Sequence, residues 1–476
     1  MKDENLEEEE VRRIERSYEG TMKHQTLCEL FRDKETFLNQ PVQVKGWVRH
    51  HRKQKTFGFI NFYDGTCVEP LQIVYDNKLE NFDEVRATGN GSAIIVDGTF
   101  VEGNKPGSVE LQATSIAIEG GCPEDYPLQP KKHSLEFLRE ISYLRPRTRL
   151  FQAVFKIRSV ASMAVHEYFQ SNGYVYVHTP LITGNDAEGA GNTFQVTTLP
   201  LGEKPDYAND FFGKPTQLAV TGQLEAETFA MGFSRVYTFG PTFRAENSNT
   251  KTHMAEFWMI EPEIAFCDLD ELMDIEEDFL KSVVRTILER CPAELDVLAN
   301  YNKMDLKGKL NALLDSTVAR VTHKEAITIL KNADVKFDFQ PEYGQDLAKE
   351  HEKYLTESYF NSPVFVYDWP KDIKAFYMYQ NDDGETVGAV DLLVPGSGEL
   401  MGGSQREVRY DRLLDRMNEL NISPDQMYWY LNLRKFGSCT HSGFGMGFER
   451  LIMYVTGMEN IRDVIPYYRT PKNCDF

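Results

Sequence analysis

The sequence of 476 residues lacks several features that mark common protein classes. It contains no run of about 18 consecutive apolar residues, so we predict no membrane-spanning helix. Its seven cysteines never occur as a CxxC pair, which argues against a structural zinc site and for reduced thiols. The acidic N-terminal segment has no apolar stretch, so we expect no secretory signal and predict a cytoplasmic location.

Two familiar nucleotide-binding loops are also missing. No GxxxxGK[ST] phosphate loop occurs, and the segment GFGMGFERL (443–451) has the pattern GxGxG rather than GxGxxG. Only 25 residues follow Leu451, too few for the further βαβ unit of a dinucleotide-binding domain. A dehydrogenase is therefore the weakest functional alternative, and any ATP must be bound by arginines and a sheet.

Negative charge dominates the composition, with 73 acidic residues against 52 basic residues and a net charge of −21. Such a surplus disfavours long-range attraction of a nucleic acid, so a polyanionic partner requires a local basic patch. The segment KGWVRHHRKQK (45–55) is one, because it combines five Lys or Arg residues with two His residues and no acid.

The N-terminal part of the chain is predicted to form a small barrel. Residues 1–20 carry an excess of acidic residues without a core pattern, which is typical of a solvated tail. Between residues 21 and 119, five short strand-like segments are separated by Gly, Asp and Asn, with a short helix predicted over 79–88. Five short strands in about 100 residues favour an oligonucleotide-binding (OB) barrel.

The remainder is predicted to be a larger α+β domain. Residues 120–148 begin with the Pro- and Gly-rich stretch GGCPEDYPLQPKK and are interpreted as a linker or hinge. Helical apolar spacing over 150–170 opens a domain that extends from 149 to 476. Because strands and helices follow each other irregularly in it, an α+β fold is favoured over a βαβ repeat.

Charged residues in an otherwise apolar hairpin form the first candidate site. Residues 239–266 have the pattern of two antiparallel strands joined by a polar loop. Arg244 and Glu246 are two residues apart, so we expect them on one strand face, and Glu261 and Glu263 alternate on the return strand. Exposed hairpin charges are the simpler alternative, but the large apolar residues beside them favour a half-buried sheet, where unpaired charges are costly.

A second candidate site lies in AVDLLVPGSGELMGGSQRE (389–407). Asp391 and Glu399 supply carboxylate oxygens of the kind that hold Mg²⁺ near phosphates. Arg406 follows in a stretch whose glycines leave space for a ligand. A nucleotide with Mg²⁺ is therefore a candidate ligand.

These segments resemble three motifs of the class II aminoacyl-tRNA synthetases. GYVYVHTPLI (173–182) after a long helix is similar to motif 1, FRAE (243–246) to motif 2, and GFGMGFERL (443–451) to motif 3. WVRHHR followed by FINFYDG resembles the anticodon-binding barrel of the aspartyl/asparaginyl/lysyl subgroup, and the motif 2 region is most similar to the bacterial-type asparaginyl family. The resemblance spans about 21–476 and implies an antiparallel-sheet catalytic domain and a C2 homodimer formed through about 158–180.

The resemblance implies a ligase that activates asparagine with ATP and Mg²⁺ and transfers it to tRNA(Asn). The implied catalytic residues are Arg244, Arg450 and Glu399, with Arg244 bridging the amino-acid carboxylate and the α-phosphate. Asp391 and Glu399 are the implied Mg²⁺ ligands. The implied ATP-binding residues are Arg244, Ala245, Glu246, Thr252, His253, Met254, Phe257, Glu399, Gly445, Gly447, Phe448, Glu449 and Arg450.

Two further sets of residues follow from the same resemblance. The implied amino-acid-binding residues are Glu188, Gln223, Ala226, Glu261, Gly402 and Arg406. The implied anticodon-binding residues are Arg52, Phe59 and Gln72, which fit the stacking and edge hydrogen bonds that read single-stranded bases. Ala226 stands where the aspartyl pattern has a lysine, which favours asparagine over aspartate.

Two alternatives stay open besides the dehydrogenase. One is an aspartyl enzyme, including one that charges both tRNAs. The other is a non-catalytic RNA-binding relative on a decayed scaffold, against which the intact Arg244, Glu246, Glu399 and Arg450 speak. Residues 291–343 depart from the minimal family domain and are predicted to be a helical insertion without an assigned role.

Overall fold

The computed structural model describes residues 24–185, 193–200, 202 and 205–476. The chain divides into two compact units, Met1–Gln152 and Ala153–Phe476. No helix within the described ranges is long and apolar enough to cross a membrane.

A closed five-stranded barrel forms the body of the first unit, in the strand order β1-β2-β3-β5-β4. This confirms the predicted OB-type barrel and its five strands. The strands are β1 (Pro41–Lys53), β2 (Phe57–Tyr63), β3 (Leu71–Asp76), β4 (Ala93–Glu102) and β5 (Val109–Gly120). The helices are α1 (Leu27–Arg32), α2 (Lys34–Phe37), α3 (Phe82–Ala87) and α4 (Leu135–Glu140), with the start of α5 (Arg149–Ser171).

Successive side chains along each strand point alternately into and out of the barrel, so the barrel has an apolar interior and a solvent-facing exterior. Val44, Ile60, Ile73 and Val96 on four strands are fully buried in a single cluster. Gly46 is required on β1, because a side chain there would collide with the Tyr63 carbonyl of β2. The alternate residues of the same strands point outward.

An eight-stranded sheet is the centre of the second unit, in the order β12-β13-β14-β15-β16-β11-β10-β6. Its neighbours pair antiparallel except at the two edges, where β12–β13 and β10–β6 are parallel. This confirms an α+β fold on an antiparallel sheet. The strands are β6 (Val175–Tyr176), β10 (Arg235–Phe243), β11 (Glu256–Ala265), β12 (Ala319–Thr322), β13 (Val364–Pro370), β14 (Thr386–Val394), β15 (Gly398–Gln405) and β16 (His441–Gly447).

Helices and one small sheet complete the second unit. The small sheet contains β7 (Ile182–Thr183), β8 (Gln195–Val196) and β9 (Thr216–Leu218). The predicted long helix over 150–170 is α5. The other helices are α6 (Gln223–Phe233), α7 (Leu269–Arg290), α8 (Pro292–Asn302), α9 (Leu306–Asp315), α10 (His323–Lys331), α11 (Lys349–Tyr354), α12 (Tyr410–Glu419), α13 (Tyr428–Lys435) and α14 (Phe448–Thr456).

Two segments differ from the sequence interpretation. The insertion 291–343 is not purely helical, because β12 within it pairs with β13 and extends the central sheet. Its four residues, ARVT, are too few to show the alternation of apolar and polar residues that predicts a strand, and the neighbouring segments have clear helical patterns. The segment 120–148 is not only a linker either, since it contains α4, whose N-cap Ser134 accepts a hydrogen bond from the Phe137 amide.

Candidate active site

The predicted hairpin forms as β10 and β11, which pair from Arg235 opposite Ile264 to Phe243 opposite Glu256. The strand ends at Phe243, so the prediction that Arg244 and Glu246 share a strand face is wrong. Arg244 still donates its backbone N–H to the Ala255 carbonyl, 2.9 Å away, and the chain then leaves the sheet as a polar loop. This departure turns the loop residues over one end of the strands.

The C-terminal segment holds that loop in place. Ile461 donates its backbone N–H to the Lys251 carbonyl at 2.8 Å, and Arg462 donates to the Thr250 carbonyl at 3.1 Å. Within the loop, the Thr250 hydroxyl and the His253 ring form a further hydrogen bond. These hydrogen bonds hold the loop against the C-terminal segment.

A cavity of about 270 Å³ lies between the loop, β11, β15, β16 and α14. Eleven of the predicted nucleotide residues are among its fourteen lining residues. Met259, Leu400 and Ile461 were not predicted, although Met259 is two residues from Phe257 on the same face of β11. The lining residues are Arg244, Glu246, Thr252, His253, Met254, Phe257, Met259, Glu399, Leu400, Gly445, Gly447, Glu449, Arg450 and Ile461.

Two arginines and one aromatic ring dominate the cavity. The Arg244 guanidinium carbon lies 5.4 Å from the centroid of the Phe257 ring. Arg450 Nη1 is 3.6 Å from Glu399 Oε2, and the two side chains are 37% and 44% exposed respectively. Guanidinium groups bind phosphate oxygens through paired N–H donors, and an aromatic face stacks on a planar base. The cavity is thus equipped for a nucleotide.

Three other predicted nucleotide residues have mainly supporting contacts. Glu449 lines the cavity, but its carboxylate accepts hydrogen bonds from Arg158 at 2.8 Å and from the Trp258 amide at 2.9 Å. Phe448 is buried, with its ring centroid 5.0 Å from that of Phe239, and does not line the cavity. Ala245 does not line it either. The contacts of Glu449 and Phe448 attach α14 to the hairpin instead.

Carboxylates gather at the β14–β15 side of the cavity. Asp391 and Lys374 form an ion pair of 2.8 Å, and Asp391 lies opposite Gly402 in the strand register. Partial desolvation within the cavity and then the negative charge of Asp391 raise the pKa of Glu399. Burial and then the charge of Glu399 raise the pKa of Glu352 to about 7. Sequence reasoning missed Glu352 and Lys374, because neither belongs to a motif and only the fold brings them to this edge.

The chemistry of these clustered carboxylates suits Mg²⁺. Mg²⁺ prefers hard oxygen ligands and is usually held by one or two carboxylates together with substrate phosphates. Among the described residues, no group of three or more His, Cys, Asp or Glu side chains is arranged to hold a metal alone. Asp391 and Glu399 supply carboxylate oxygens of this kind, and both lie close to Gly402.

Arg406, which was predicted to bind the amino-acid substrate, lies in the interior, with only 2% of its side chain exposed. Its Nε and Nη2 atoms donate to both carboxylate oxygens of Glu263, and Nη1 donates to the Ser404 hydroxyl at 2.7 Å. Burial opposes the positive charge, but Glu263 outweighs it and the pKa of Arg406 is raised. The forked geometry fixes the plane of the guanidinium.

A second buried ion pair lies beside it. Glu227 on α6 accepts hydrogen bonds from the Tyr430 hydroxyl at 2.7 Å and from Arg434 and His441, each at 3.1 Å. Burial on its own raises the pKa of Glu227, but Arg434 and His441 lower it to about 2. Sequence reasoning missed this cluster, because Glu227 is far from its partners in the chain and the four residues share no motif.

The other residues that were predicted to bind the amino-acid substrate do not all lie beside Arg406. Gln223 donates from Nε2 to Glu227 at 3.4 Å, and Glu261 accepts a hydrogen bond from the Gly222 amide at 3.0 Å. Ala226 is fully buried in an apolar cluster with neighbouring helix and strand residues and does not line the nucleotide cavity. Glu188 lies outside the described residues.

The barrel brings its three predicted residues together on one outer face. Arg52 donates from Nη2 to Gln72 Oε1 at 3.0 Å, and its guanidinium carbon is 5.0 Å from the centroid of the Phe59 ring. Gln72 also donates from Nε2 to Glu110 at 3.2 Å. Phe59 is partly exposed, whereas its strand neighbour Ile60 is fully buried. A cation, an aromatic ring and an oriented amide therefore share one accessible surface.

Comparison with known proteins gives consistent matches over nearly the whole chain. The family described as tRNA synthetases class II (D, K and N) matches residues 134–471, and the OB-fold nucleic acid binding domain matches residues 42–119. The chain is 52% identical over 465 residues to the asparagine–tRNA ligase of Desulfitobacterium hafniense, covering 96% of this chain and 100% of that protein. It is 53% identical over 460 residues to that of Acholeplasma laidlawii, covering 95% and 99%.

A solved structure supports the same grouping. Asparaginyl-tRNA synthetase from Pyrococcus horikoshii, complexed with asparaginyl-adenylate, is 32% identical and superposes with a TM-score of 0.84. That similarity covers 95% of this chain and 100% of the other.

Proposed function

The chain belongs to the class II tRNA synthetases of the D, K and N group, and on that basis we propose that it is an asparagine–tRNA ligase. It activates L-asparagine with ATP, releases pyrophosphate and transfers the asparaginyl group to tRNA(Asn). The observation that carries the proposal is the order of side chains along β11. Phe257 and Met259 line the nucleotide cavity, and Glu261 and Glu263 follow on the same face, beside Arg406.

Arg244 is the principal catalytic residue of the activation step. Negative charge builds on the α-phosphate when the asparagine carboxylate attacks it, and the guanidinium fork binds phosphate and carboxylate oxygens together. Arg450 and Phe257 hold the nucleotide from opposite sides. Alignment and electrostatic stabilisation supply the rate, without a nucleophilic side chain.

Asp391 and Glu399 are the residues that would hold Mg²⁺ when ATP binds. Bound Mg²⁺ supplies positive charge that offsets the charge of the phosphates and of the attacking carboxylate. The raised pKa of Glu399, caused by partial desolvation and by Asp391, fits this role, because a cation relieves the repulsion between the two carboxylates.

The amino-acid side of the site selects asparagine over aspartate. Arg406 donates to the side-chain oxygen, which both amino acids present, and Glu261 accepts from the amide N–H groups, which only asparagine presents. Aspartate, by contrast, is repelled by the negative charge of Glu261. Unpaired or like charges in a closed polar site cost several kcal/mol, enough for selection of about 10⁴.

The decisive experiment measures ATP–pyrophosphate exchange with asparagine and with aspartate separately. We expect kcat/KM for asparagine to exceed that for aspartate by about 10⁴. Comparable values, or a preference for aspartate, favour the aspartyl alternative. Absence of exchange with either amino acid favours a non-catalytic RNA-binding protein.

The remaining assignments complete the proposal. The barrel, residues 21–119, binds the anticodon of tRNA(Asn) through Arg52, Phe59 and Gln72, and residues 149–476 form the catalytic domain. The protein acts in the cytoplasm as a homodimer formed through about residues 158–180. Sedimentation of the purified protein measures the oligomeric state, and a monomer contradicts that part of the proposal.

A further inference from the structure

Glu261 lies on β11 between the residues that line the nucleotide cavity and the residues around Arg406, which form the amino-acid side of the site. It follows Phe257 and Met259 on one face of β11, and both of these line the nucleotide cavity. The next residue on that face, Glu263, pairs with Arg406. The orientation of the Glu261 carboxylate therefore decides which group it offers to a bound amino acid.

Two donors from the start of α6 orient that carboxylate. The Thr221 hydroxyl donates to Oε1, and the Gly222 amide donates to Oε2 at 3.0 Å. Glu261 itself is only 4% exposed. The Gly222 amide belongs to the N-terminus of an eleven-residue helix, whose dipole favours a negative group there.

Thr221 also contacts the second residue of the amino-acid side. The backbone N–H of Gln223 donates to Thr221 Oγ1 at 3.0 Å. Because a carboxylate only accepts hydrogen bonds, the single hydroxyl proton of Thr221 is directed at Glu261. One hydroxyl thus connects the backbone of Gln223 with the carboxylate of Glu261.

We propose that Thr221 is a positioning residue for amino-acid selection, which fixes the rotation of the Glu261 carboxylate so that it accepts the side-chain amide of asparagine. The inference rests on the proposed function of the chain. The last torsion of a Glu side chain is soft, so the direction of a donor decides how the carboxylate is rotated. The Thr221 hydroxyl donates to Oε1 and restricts this rotation before the substrate binds.

Thr238 offers a matched control. It lies directly opposite Glu261 in the β10–β11 register and is also buried. Its hydroxyl pairs with that of Thr179 at 3.3 Å rather than with the carboxylate. Thr238→Val therefore removes a buried hydroxyl beside Glu261 without removing a donor to it.

The test compares Thr221→Val, Thr221→Ser and Thr238→Val in asparagine-dependent ATP–pyrophosphate exchange. We expect Thr221→Val to lower kcat/KM for asparagine about 10- to 100-fold, mainly through KM, with KM for ATP changed less than about twofold. Thr221→Ser keeps the hydroxyl and should stay within about threefold of the wild type, as should Thr238→Val. Thr221→Ala serves in place of the valine variant if the latter has a lowered melting temperature.

Three outcomes overturn the proposal. Wild-type kinetics for asparagine in Thr221→Val show that the hydroxyl does not position Glu261, while the proposed function stands. Equal losses in Thr221→Val and Thr238→Val assign the effect to side-chain packing around Glu261 rather than to the Thr221 hydrogen bond. No exchange by the wild-type protein with asparagine rejects the proposed function itself, and with it the role of Thr221.

Discussion

The two sides of the candidate active site differ in how their charges are balanced. On the nucleotide side, Arg450 and Glu399 are 3.6 Å apart and more than one third exposed. On the amino-acid side, the Arg406–Glu263 and Arg434–Glu227 pairs are almost completely buried, with direct hydrogen bonds. The first side holds charges that a ligand can still neutralise, whereas the second holds charges that the protein has already neutralised.

This difference matches what the proposed function requires each side to recognise. A triphosphate with its metal ion brings several charges into the site, so exposed arginines and carboxylates gain partners when it binds. A neutral side-chain amide brings no charge, so recognition depends on rigid donors and acceptors of fixed direction. Buried ion pairs supply that rigidity, because a charge taken out of water stays close to its partner.

Glu227→Gln tests the buried side and should give the largest effect. The substitution keeps the shape but leaves Arg434 without its buried counter-charge, which costs about 3–5 kcal/mol of unfolding free energy. Urea unfolding measures the loss. Asp296→Asn is the matched control, since Asp296 pairs with Lys307 at 2.7 Å on the surface and should contribute at most about 1 kcal/mol. Equal effects of both substitutions contradict the comparison.

The two sides could not be predicted equally well from the sequence, for a physical reason. The nucleotide side comes from contiguous motifs, so the resemblance to the family implied Arg244, Phe257 and Arg450, and all three line the cavity. Glu227 and Arg434 lie far apart in the chain, and only the folded sheet and α6 bring them together. The strand end at Phe243 was also missed, because the break depends on contacts of the loop with the distant C-terminal segment rather than on local propensity.

The barrel and the central sheet were predictable because their signals are periodic. The alternation of apolar residues in β1 to β5 is visible in the sequence, as is the helical spacing of α5. By contrast, β12 joins the sheet with four residues, and nothing local distinguishes it from a loop. Short edge strands are defined by their neighbours.

Arg244→Ala tests the nucleotide side and should affect activity without affecting stability. Removing one preorganised donor at a developing negative charge costs about 3–4 kcal/mol of transition-state stabilisation, or roughly 10²- to 10³-fold in exchange rate. The melting temperature should stay near that of the wild type, because the residue is half-exposed. Near-normal exchange in a folded Arg244→Ala protein rules out the assigned role, and Arg290→Ala is a control that should retain full exchange.

Phe59→Ala extends the comparison to the barrel, whose outer face also presents partly exposed groups. Loss of a base stack is worth roughly 1–3 kcal/mol, so aminoacylation of tRNA(Asn) should weaken while asparagine-dependent pyrophosphate exchange stays unchanged. Phe59→Trp keeps an aromatic face and should retain aminoacylation. Equal losses in the two assays instead make Phe59 a residue of the barrel core.

Glu276→Gln tests whether every buried carboxylate on the amino-acid side is charged. It should change the free energy of unfolding least among these substitutions. Glu276 on α7 is fully buried beneath β15, so close to Gly403 that a side chain at 403 would collide with it. Neither of its oxygens has a hydrogen-bond partner among the residues that the structure describes. Burial, followed by the charge of Asp391, raises the pKa of Glu276 well above the ordinary value, whereas the paired Glu227 has a lowered pKa.

The sign of the pH dependence follows from that raised pKa. Between the ordinary carboxyl pKa and the raised one, the folded state of Glu276 binds a proton that the unfolded state has lost, so stability falls as pH rises through this window. Gln cannot titrate, and Glu276→Gln should therefore match the wild type near pH 4 and exceed it in stability at pH 8, where the wild-type carboxyl is driven to lose its proton. Urea unfolding at both pH values measures the difference. A variant that is less stable than the wild type at pH 8, as expected for Glu227→Gln, means that Glu276 is ionised and paired like the carboxylates beside it.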